Sequence, residues 1–207
     1  MIIIGVTGNS GAGKTTVATI MKTNLKAQNI NADDITRELI KPGNGYYFDV
    51  LKIFGNDILH GPGSNCPDKI KKDKLAKMLF SDKEKRDKLN KLTFKYVGQE
   101  LKDVILEHKE DEFIILDIPL LYEGRFEKIC NFVVAVVADE ETKIARIRER
   151  DKISREDAMQ RLKTQIDEKF LREHADFVIE NNGKNKYFNL VKQTVNVIHS
   201  IKEKKEK

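Results

Sequence analysis

The sequence predicts an α/β fold in which a mostly parallel central sheet is covered by helices in three layers. Three observations support this. Residues 2–7 form a short apolar run, a glycine-rich turn follows at 8–15, and apolar residues then recur at helical spacing from Val17 to Leu25. Further short apolar runs alternate with helical patterns along the rest of the chain, which is typical of parallel strands joined by crossover helices.

The glycine-rich turn carries the most specific pattern in the chain. It reads Gly8-Asn9-Ser10-Gly11-Ala12-Gly13-Lys14-Thr15 and fits G-x-x-x-x-G-K-[ST] at every fixed position. Glycines let consecutive N–H groups point inward as an anion cradle, and the following helix adds the positive end of its dipole. Lys14 is expected to reach the β- and γ-phosphates of a nucleotide, and the Thr15 hydroxyl to bind Mg²⁺. A chance match is the alternative, but the order of strand, loop and helix argues against it.

Composition limits the classes of protein to consider. With 207 residues, 40% of them hydrophobic, the chain is expected to form one domain over 1–207 that contains an inserted subregion. The apolar runs are too short to cross a bilayer and Met1 leads directly into the first strand, so we expect a cytoplasmic protein with no membrane partner. We also expect a monomer or a weak homo-oligomer.

Charge and cysteine content argue against a nucleic-acid-binding protein and against a zinc or redox protein. The formal charge of +5 is dispersed among 33 acidic residues rather than gathered in one block, so we expect no nucleic-acid partner. A mild positive excess suits ligands that are polyanions. Cys66 and Cys130 belong to no C-x-x-C pair, which argues against a zinc or redox site.

The other elements follow from the same periodicities. Strands are predicted at 29–32, 113–117, 132–137 and 177–179, and helices at 35–40, 46–54, 140–150, 154–165 and 187–201. Glycines and prolines make 55–67 a loop, and 68–108 reads as two or three helices. We therefore predict a helical subregion at about 55–108 on the side of the acceptor substrate. Ser154 and Asp157 have the spacing of a capping box.

Two carboxylates follow predicted strands. Ligands of open α/β sheets gather at the carboxyl ends of the strands, so Asp33 and Asp117 are candidates for the site. Asp33 is expected to orient an acceptor hydroxyl and take its proton, although an Asp here is also a common helix N-cap and both roles are compatible. Asp117 is expected to hold Mg²⁺ through water or to accept a hydrogen bond from Thr15.

Five arginines are concentrated in one short stretch, which favours a mobile lid at about 146–165 that closes guanidinium groups on phosphate. They are Arg146, Arg148, Arg150, Arg155 and Arg161. A solvated helix face is the alternative for any single member, whereas the group as a whole favours the lid. Arg146 and Arg150 are the two that we expect to act on the transferred group.

The ordered motifs resemble the dephospho-coenzyme A kinase family. The matching segments are Ile4 to Ala18, Asn31-Ala32-Asp33, Arg37-Glu38-Leu39, Pro42-Gly43, Phe54-Gly55, Leu116 to Glu123, Arg146, Arg150-Asp151, Gln165, Ala175-Asp176 and Val178 to Gly183. The resemblance implies a P-loop NTPase fold with a helical substrate-binding insertion and a short arginine-rich lid. It also implies ATP-dependent phosphorylation of the ribose 3′-hydroxyl of dephospho-coenzyme A, the last step of coenzyme A synthesis, with Asp33 as the base.

The resemblance also distributes the remaining residues between the two substrates. Thr16 and Asn181 join residues 8–15 at the nucleotide, with Mg²⁺ on Thr15 and Asp117. The acceptor side takes Asp33, Arg37, Asp117, Pro119, Leu120 and Leu121.

The chain departs from the family on the acceptor side. Asn31 replaces the first acid of a D-A-D motif, Phe94-Lys95 aligns with a His-Pro pair, and Ile70-Lys71-Lys72 aligns loosely with Leu-Asp-Arg. A nucleoside or nucleoside-monophosphate kinase is therefore the alternative enzyme. From a different class, a nucleotide-dependent regulator or a nucleic-acid-associated ATPase remains possible in principle, but the contiguous basic or aromatic surface expected of it is absent from the sequence.

Overall fold

The computed structural model describes residues 1–182 and 186–205. Five strands form one sheet in the order β2-β3-β1-β4-β5, and every pairing is parallel. The strands are β1 Ile2–Thr7, β2 Gln28–Asn31, β3 Phe113–Asp117, β4 Phe132–Val137 and β5 Phe177–Glu180. The predicted α/β class is confirmed. Gly183, the last residue of the family resemblance, lies outside the described residues.

The chain divides into two compact units, one containing the sheet (Met1–Asn31 and His108–Lys207) and one that is helical (Ala32–Glu107). The helices of the sheet unit are α1 Lys14–Leu25, α6 Glu140–Asp151, α7 Arg155–Lys163, α8 Glu168–His174 and α9 Lys186–Lys205. Those of the helical unit are α2 Ala32–Leu39, α3 Gly45–Phe54, α4 Lys72–Ser81 and α5 Lys83–Glu107. No described helix is both long and apolar enough to cross a membrane.

The sheet is buried on both faces, as its apolar strands require. On one face, alternate strand residues such as Ile4, Val6 and Val134 pack with the apolar sides of α1 and α9. On the other face the segment after β3 lies close to β1. A Cβ atom built on Gly5 would come within 2.7 Å of Cys130 Sγ and 3.0 Å of Leu121 Cδ1, so a larger residue here would force these side chains to shift.

The helical unit packs around the 25-residue α5. Tyr46 is 2% exposed and shares a hydrogen bond of 2.7 Å with Thr93. Tyr96, on the same helix, donates to Asp49 Oδ2 at 2.8 Å, and Tyr47 donates to the carbonyl of Asp68 at 2.6 Å. Three tyrosine hydroxyls thus satisfy their hydrogen bonds inside the unit while their rings supply apolar area.

Several element boundaries differ from the sequence expectations. β2 ends at Asn31, α2 begins at Ala32 rather than residue 35, and the helical unit begins there rather than at residue 55. Within 55–67 the structure has a short 3₁₀ turn at Asn56–Ile58, and 68–108 contains two helices. α8 was missed because it has only seven residues and one buried residue, Leu171, so no apolar period marks it.

Candidate active site

The glycine-rich loop between β1 and α1 adopts backbone angles that require glycine. Gly11 and Gly13 have φ values of +78° and +95°, in the left-handed region. A Cβ atom on Gly13 would lie 2.2 Å from Asn181 Nδ2, and one on Gly11 would lie 2.6 Å from the carbonyl oxygen of Lys143. The loop therefore curls tightly against α6 and the residue after β5.

The outward-facing carbonyls of this loop are held by two side chains. Arg146 Nη1 donates to Gly11 O at 2.9 Å and Ala12 O at 3.3 Å, and its Nη2 donates to Asn181 O and Oδ1, both at 3.2 Å. Asn181 Nδ2 donates to Ala12 O at 2.7 Å, and its residue is 5% exposed. Burial lowers the pKa of the Arg146 guanidinium. With carbonyls turned toward Arg146, the loop can direct N–H groups to its inner side.

This contact network gives Arg146 and Asn181 a function that the sequence analysis did not anticipate. Both were expected to contact the nucleotide, and Arg146 was expected to belong to a moving lid. In the structure each one braces the loop from outside. Any direct contact of theirs with phosphate stays a prediction.

We expect Arg146→Lys to weaken ADP binding about tenfold, because one ammonium group cannot replace a planar fork that spans Gly11 and Asn181. Isothermal titration with ADP measures the effect, and Arg148→Lys, an exposed change on the same helix, is the control. If Arg146→Lys bound ADP normally and lost only turnover, Arg146 would act on the transferred phosphate instead.

Two amides of the loop already have partners within the protein. Ser10 N donates to Gln165 Oε1 at 3.0 Å, and Ala12 N donates to Asn9 O at 3.0 Å. Each N–H has a single hydrogen to donate, so these two amides are already engaged by acceptors within the protein.

The start of α1 supplies the remaining donors. The first i→i−4 bond of the helix runs from Val17 N to Gly13 O at 3.2 Å. The amides of Lys14 and Thr15 precede this bond, so the helix itself offers them no acceptor. Thr15 and Thr16 are both exposed. This end of α1 is suited to an anion, since unpaired N–H groups and the helix dipole coincide there.

Lys14 forms an ion pair with Asp117, the last residue of β3. The Lys14 side chain is 11% exposed and the Asp117 side chain is fully buried. Asn31 Nδ2 donates to the other oxygen, Oδ2, at 3.0 Å. The parallel register pairs Asn31 with Asp117, so neighbouring strand ends bring the amide and the carboxylate together. Lys14 and Asn31 thus compensate the burial of the carboxylate from both sides.

Three arginines of the arginine-rich stretch form ion pairs with acidic residues. Arg150 donates to both oxygens of Asp151, at 2.7 and 2.9 Å, and Arg161 also contacts Asp151. Arg155 forms a bidentate pair with Glu141 at 2.7 and 2.5 Å. Ser154 is the N-cap of α7, since its Oγ accepts from Asp157 N at 3.0 Å and donates to Asp157 Oδ2 at 2.9 Å. The ion pairs of Arg155 and Arg161 link α7 to α6. The motion of this stretch as a lid stays a prediction.

The pKa of Asp151 is held at about 2, below its ordinary value of 3.8, chiefly because Arg150 donates to it and then because of Arg161. A lowered folded-state pKa stabilises the protein above pH 4, and this contribution disappears as the pH falls toward 2. We therefore expect Asp151→Asn to lower the free energy of unfolding at pH 7, by about 1 kcal/mol or less after solvent screening.

Urea denaturation at pH 7 and pH 3 measures this effect. The difference in the free energy of unfolding between wild type and Asp151→Asn should be smaller at pH 3 than at pH 7. Asp103→Asn, an exposed change on α5, should have the free energy of unfolding of wild type at both pH values. An equal difference at both pH values would contradict the assignment.

The acceptor-side candidates fall in both units. In the helical unit, Asp33 is exposed in the first turn of α2, two residues after Asn31, and Arg37 pairs with Asp34 at 2.6 Å on the surface. In the sheet unit, the carbonyl of Pro119 accepts from Thr7 Oγ1 at 3.3 Å. Leu120 is half-buried, whereas Leu121 is fully buried and packs at Gly5, so packing is the role that the structure gives it.

Two further residues at the loop were assigned no role from the sequence. Gln165, which the sequence analysis named only as one of the positions that match the family, forms two hydrogen bonds with Ser10. Lys143, 7% exposed, carries the carbonyl closest to Gly11 and pairs through Nζ with Glu168 at 2.9 Å. No sequence signal separates Lys143 from the many lysines on solvated helix faces, because its partner belongs to a helix that was not predicted.

Comparisons with known proteins show which family this chain resembles. A family model described as dephospho-CoA kinase matches residues 2–186. The dephospho-CoA kinase of Fusobacterium nucleatum is 36% identical over 184 residues, covering 88% of this chain and 91% of the relative. That of Carboxydothermus hydrogenoformans is 34% identical over 183 residues, covering 87% and 86%.

Solved structures support the same grouping. The dephospho-CoA kinase from Campylobacter jejuni has a TM-score of 0.67 at 26% identity, covering 98% of both chains. A shikimate kinase from Acinetobacter baumannii, 20% identical, covers 98% of this chain and 95% of its own with a TM-score of 0.57, which shows a shared fold. The fold is thus that of the P-loop kinases, and the chain belongs to the dephospho-CoA kinase family.

Proposed function

We propose that this protein transfers the γ-phosphoryl group of ATP to the ribose 3′-hydroxyl of dephospho-coenzyme A, giving coenzyme A. The observation that carries the proposal is the family match over residues 2–186, which spans both the sheet unit and the helical unit. The glycine-rich loop, braced by Arg146 and Asn181, supplies the phosphate site that such a reaction needs.

The donor half of the reaction rests on charge and positioning. Phosphoryl transfer through a loose transition state asks the protein mainly to align the reactants and to neutralise charge. In this proposal the amides at the start of α1 and the ammonium of Lys14 bind the phosphates. Asp117, fixed by Asn31, keeps Lys14 directed into the site. Arg150, with Arg146, completes the donor side from the stretch 146–165.

Mg²⁺ belongs to the same proposal. Thr15 offers an exposed hydroxyl and Asp117 a carboxylate at the end of β3, and oxygen donors are the ligands that Mg²⁺ prefers. Because both Asp117 oxygens already accept hydrogen bonds, we propose that Asp117 acts through water. No group of three or more His, Cys, Asp or Glu side chains suited to a metal occurs within 1–182 and 186–205. Mg²⁺ held there would neutralise negative charge on the phosphates of the nucleotide.

The acceptor half is assigned to Asp33 as the base, with Arg37, Asp117, Pro119, Leu120 and Leu121 on the side of dephospho-coenzyme A. Three departures from the family, Asn31, Phe94-Lys95 and Ile70-Lys71-Lys72, fall on this side as well. Asn31 is accounted for by its hydrogen bond to Asp117. We further propose that the protein acts in the cytoplasm as a monomer or a weak homo-oligomer.

A coupled assay of ADP production tests the function. The wild-type protein should turn over dephospho-coenzyme A with ATP and Mg²⁺ far faster than any member of a panel of nucleosides and nucleoside monophosphates. Chromatography should show one phosphorylated product. Activity confined to the panel would favour the alternative kinase, and ATP consumption without a phosphorylated acceptor would favour a nucleotide-dependent regulator.

A further inference from the structure

The side-chain amide of Gln165 grips a single residue of the glycine-rich loop with both of its polar atoms. Oε1 accepts from Ser10 N at 3.0 Å, and Nε2 donates to Ser10 Oγ at 3.0 Å. A backbone N–H can only donate, so the carbonyl oxygen of the amide must face it, and the orientation of the amide follows. We refer to this pair of hydrogen bonds as the Gln165 clamp.

A third hydrogen bond reinforces the clamp. Asn9 Nδ2 donates to the carbonyl of Ile166 at 3.1 Å, so two consecutive loop residues are tied to two consecutive residues after α7. The segment that holds them is itself anchored: Gln165 N donates to Leu162 O at 3.1 Å, and the Asp167 side chain caps α8. The clamp therefore connects the loop to the junction of two helices rather than to a free end.

The clamp and Arg146 hold different parts of the same loop. Arg146 and Asn181 bind the carbonyls of Gly11 and Ala12, whereas Gln165 occupies the amide and hydroxyl of Ser10. Between them they determine which way the peptide groups of the loop's first half point. The amides of Lys14 and Thr15 lie beyond both contacts, at the start of α1.

We infer that Gln165 is a positioning residue for nucleotide binding: it withdraws the Ser10 amide from the phosphate cradle and fixes the loop in the shape that presents the later amides. The inference rests on the proposed use of this loop for nucleotide phosphates. It couples nucleotide affinity to the end of α7, so a change in that helix junction alters the cradle without touching a phosphate.

Amide hydrogen exchange followed by NMR tests the first half of the inference on the wild-type protein. Without nucleotide, the Ser10 amide should exchange at least tenfold more slowly than the Lys14 amide, because Gln165 already binds it. Saturating ADP should then protect Lys14 and leave Ser10 nearly unchanged. A Ser10 amide that gains protection only when ADP is added would be a phosphate ligand, and this result would overturn the inference.

Calorimetric titration with ADP tests the second half. Gln165→Leu removes both bonds at similar volume and should weaken ADP binding about tenfold. Gln160→Leu, the same change at an exposed position of α7, should stay within twofold of wild type. Ser10→Ala removes only the hydrogen bond to the hydroxyl. When Gln165→Leu is added to the Ser10→Ala protein, ADP affinity should therefore fall by clearly less than tenfold. The inference would be overturned if Gln165→Leu weakened ADP binding equally in the wild-type and Ser10→Ala proteins. It would also be overturned if the ADP affinity of Gln165→Leu lay within twofold of that of Gln160→Leu.

The proposed function and the role of the Gln165 clamp can be rejected independently of each other. If the wild-type protein bound no ADP, the proposed function would fail, while the exchange of the Ser10 amide without nucleotide would still decide whether the clamp exists. If Gln165→Leu did not fold, as circular dichroism would reveal, Ser10→Ala and the wild-type exchange data would carry the test. Normal ADP binding with an unprotected Ser10 amide would reject the clamp alone.

Discussion

Lys14→Met is expected to lower kcat by on the order of 10²-fold or more, because an electrostatic partner of the transferred phosphate is lost from a preorganised site. The same change is expected to destabilise the fold. The Lys14 side chain is 11% exposed and its partner Asp117 is fully buried, so its removal takes the ammonium away from a buried carboxylate and leaves the amide of Asn31 donating to Oδ2. Breaking such a pair costs about 3 kcal/mol.

A double variant separates the two effects of Lys14. Asp117→Asn removes the buried charge while retaining an oxygen for the amide of Asn31. The combination of Lys14→Met with Asp117→Asn should therefore recover most of the lost stability in urea denaturation, while kcat stays low. If turnover returned together with stability, Lys14 would serve only to compensate Asp117, and the assignment of its ammonium to the phosphates would be wrong.

Asp33→Asn is the second large expected effect. A general base contributes roughly 10²–10⁴-fold to proton transfer, so kcat should fall by at least about 10²-fold. The amide keeps the size and much of the hydrogen bonding of the carboxylate but cannot take a proton at neutral pH. ADP affinity should remain within about twofold of wild type, because the proposed donor site is formed by the loop and α1.

Asp34→Asn is the matched control for this experiment. Asp34 is the next residue of α2 and carries the same charge in the first turn, and its ion pair with Arg37 is exposed and thus worth little. Its kcat should stay close to that of wild type. An equal loss of turnover in both variants, or loss of ADP binding with Asp33→Asn, would indicate that these acids serve the structure of α2.

Local patterns were sufficient to predict much of the fold. The strands at 2–7, 113–117 and 132–137 were predicted with the bounds that the structure has, because each is a short run of buried apolar residues. The spacing of Ser154 and Asp157 also indicated the N-cap of α7 that the structure has, since a cap depends on neighbours three residues apart. α8 could not be predicted in this way, because seven residues with one buried position carry no period.

The sequence by itself determined the identity of the phosphate loop, the order of strands and helices and the family, because these depend on spacing along the chain. Only the tertiary structure decided how the loop is held. Arg146, Gln165 and Asn181 bind residues of the loop from which they are separated by more than 130 positions, and Lys14 pairs with an acid 103 residues away. Such contacts are a property of the packed sheet and helices, where strand ends distant in sequence meet at one edge, and no local spacing encodes them.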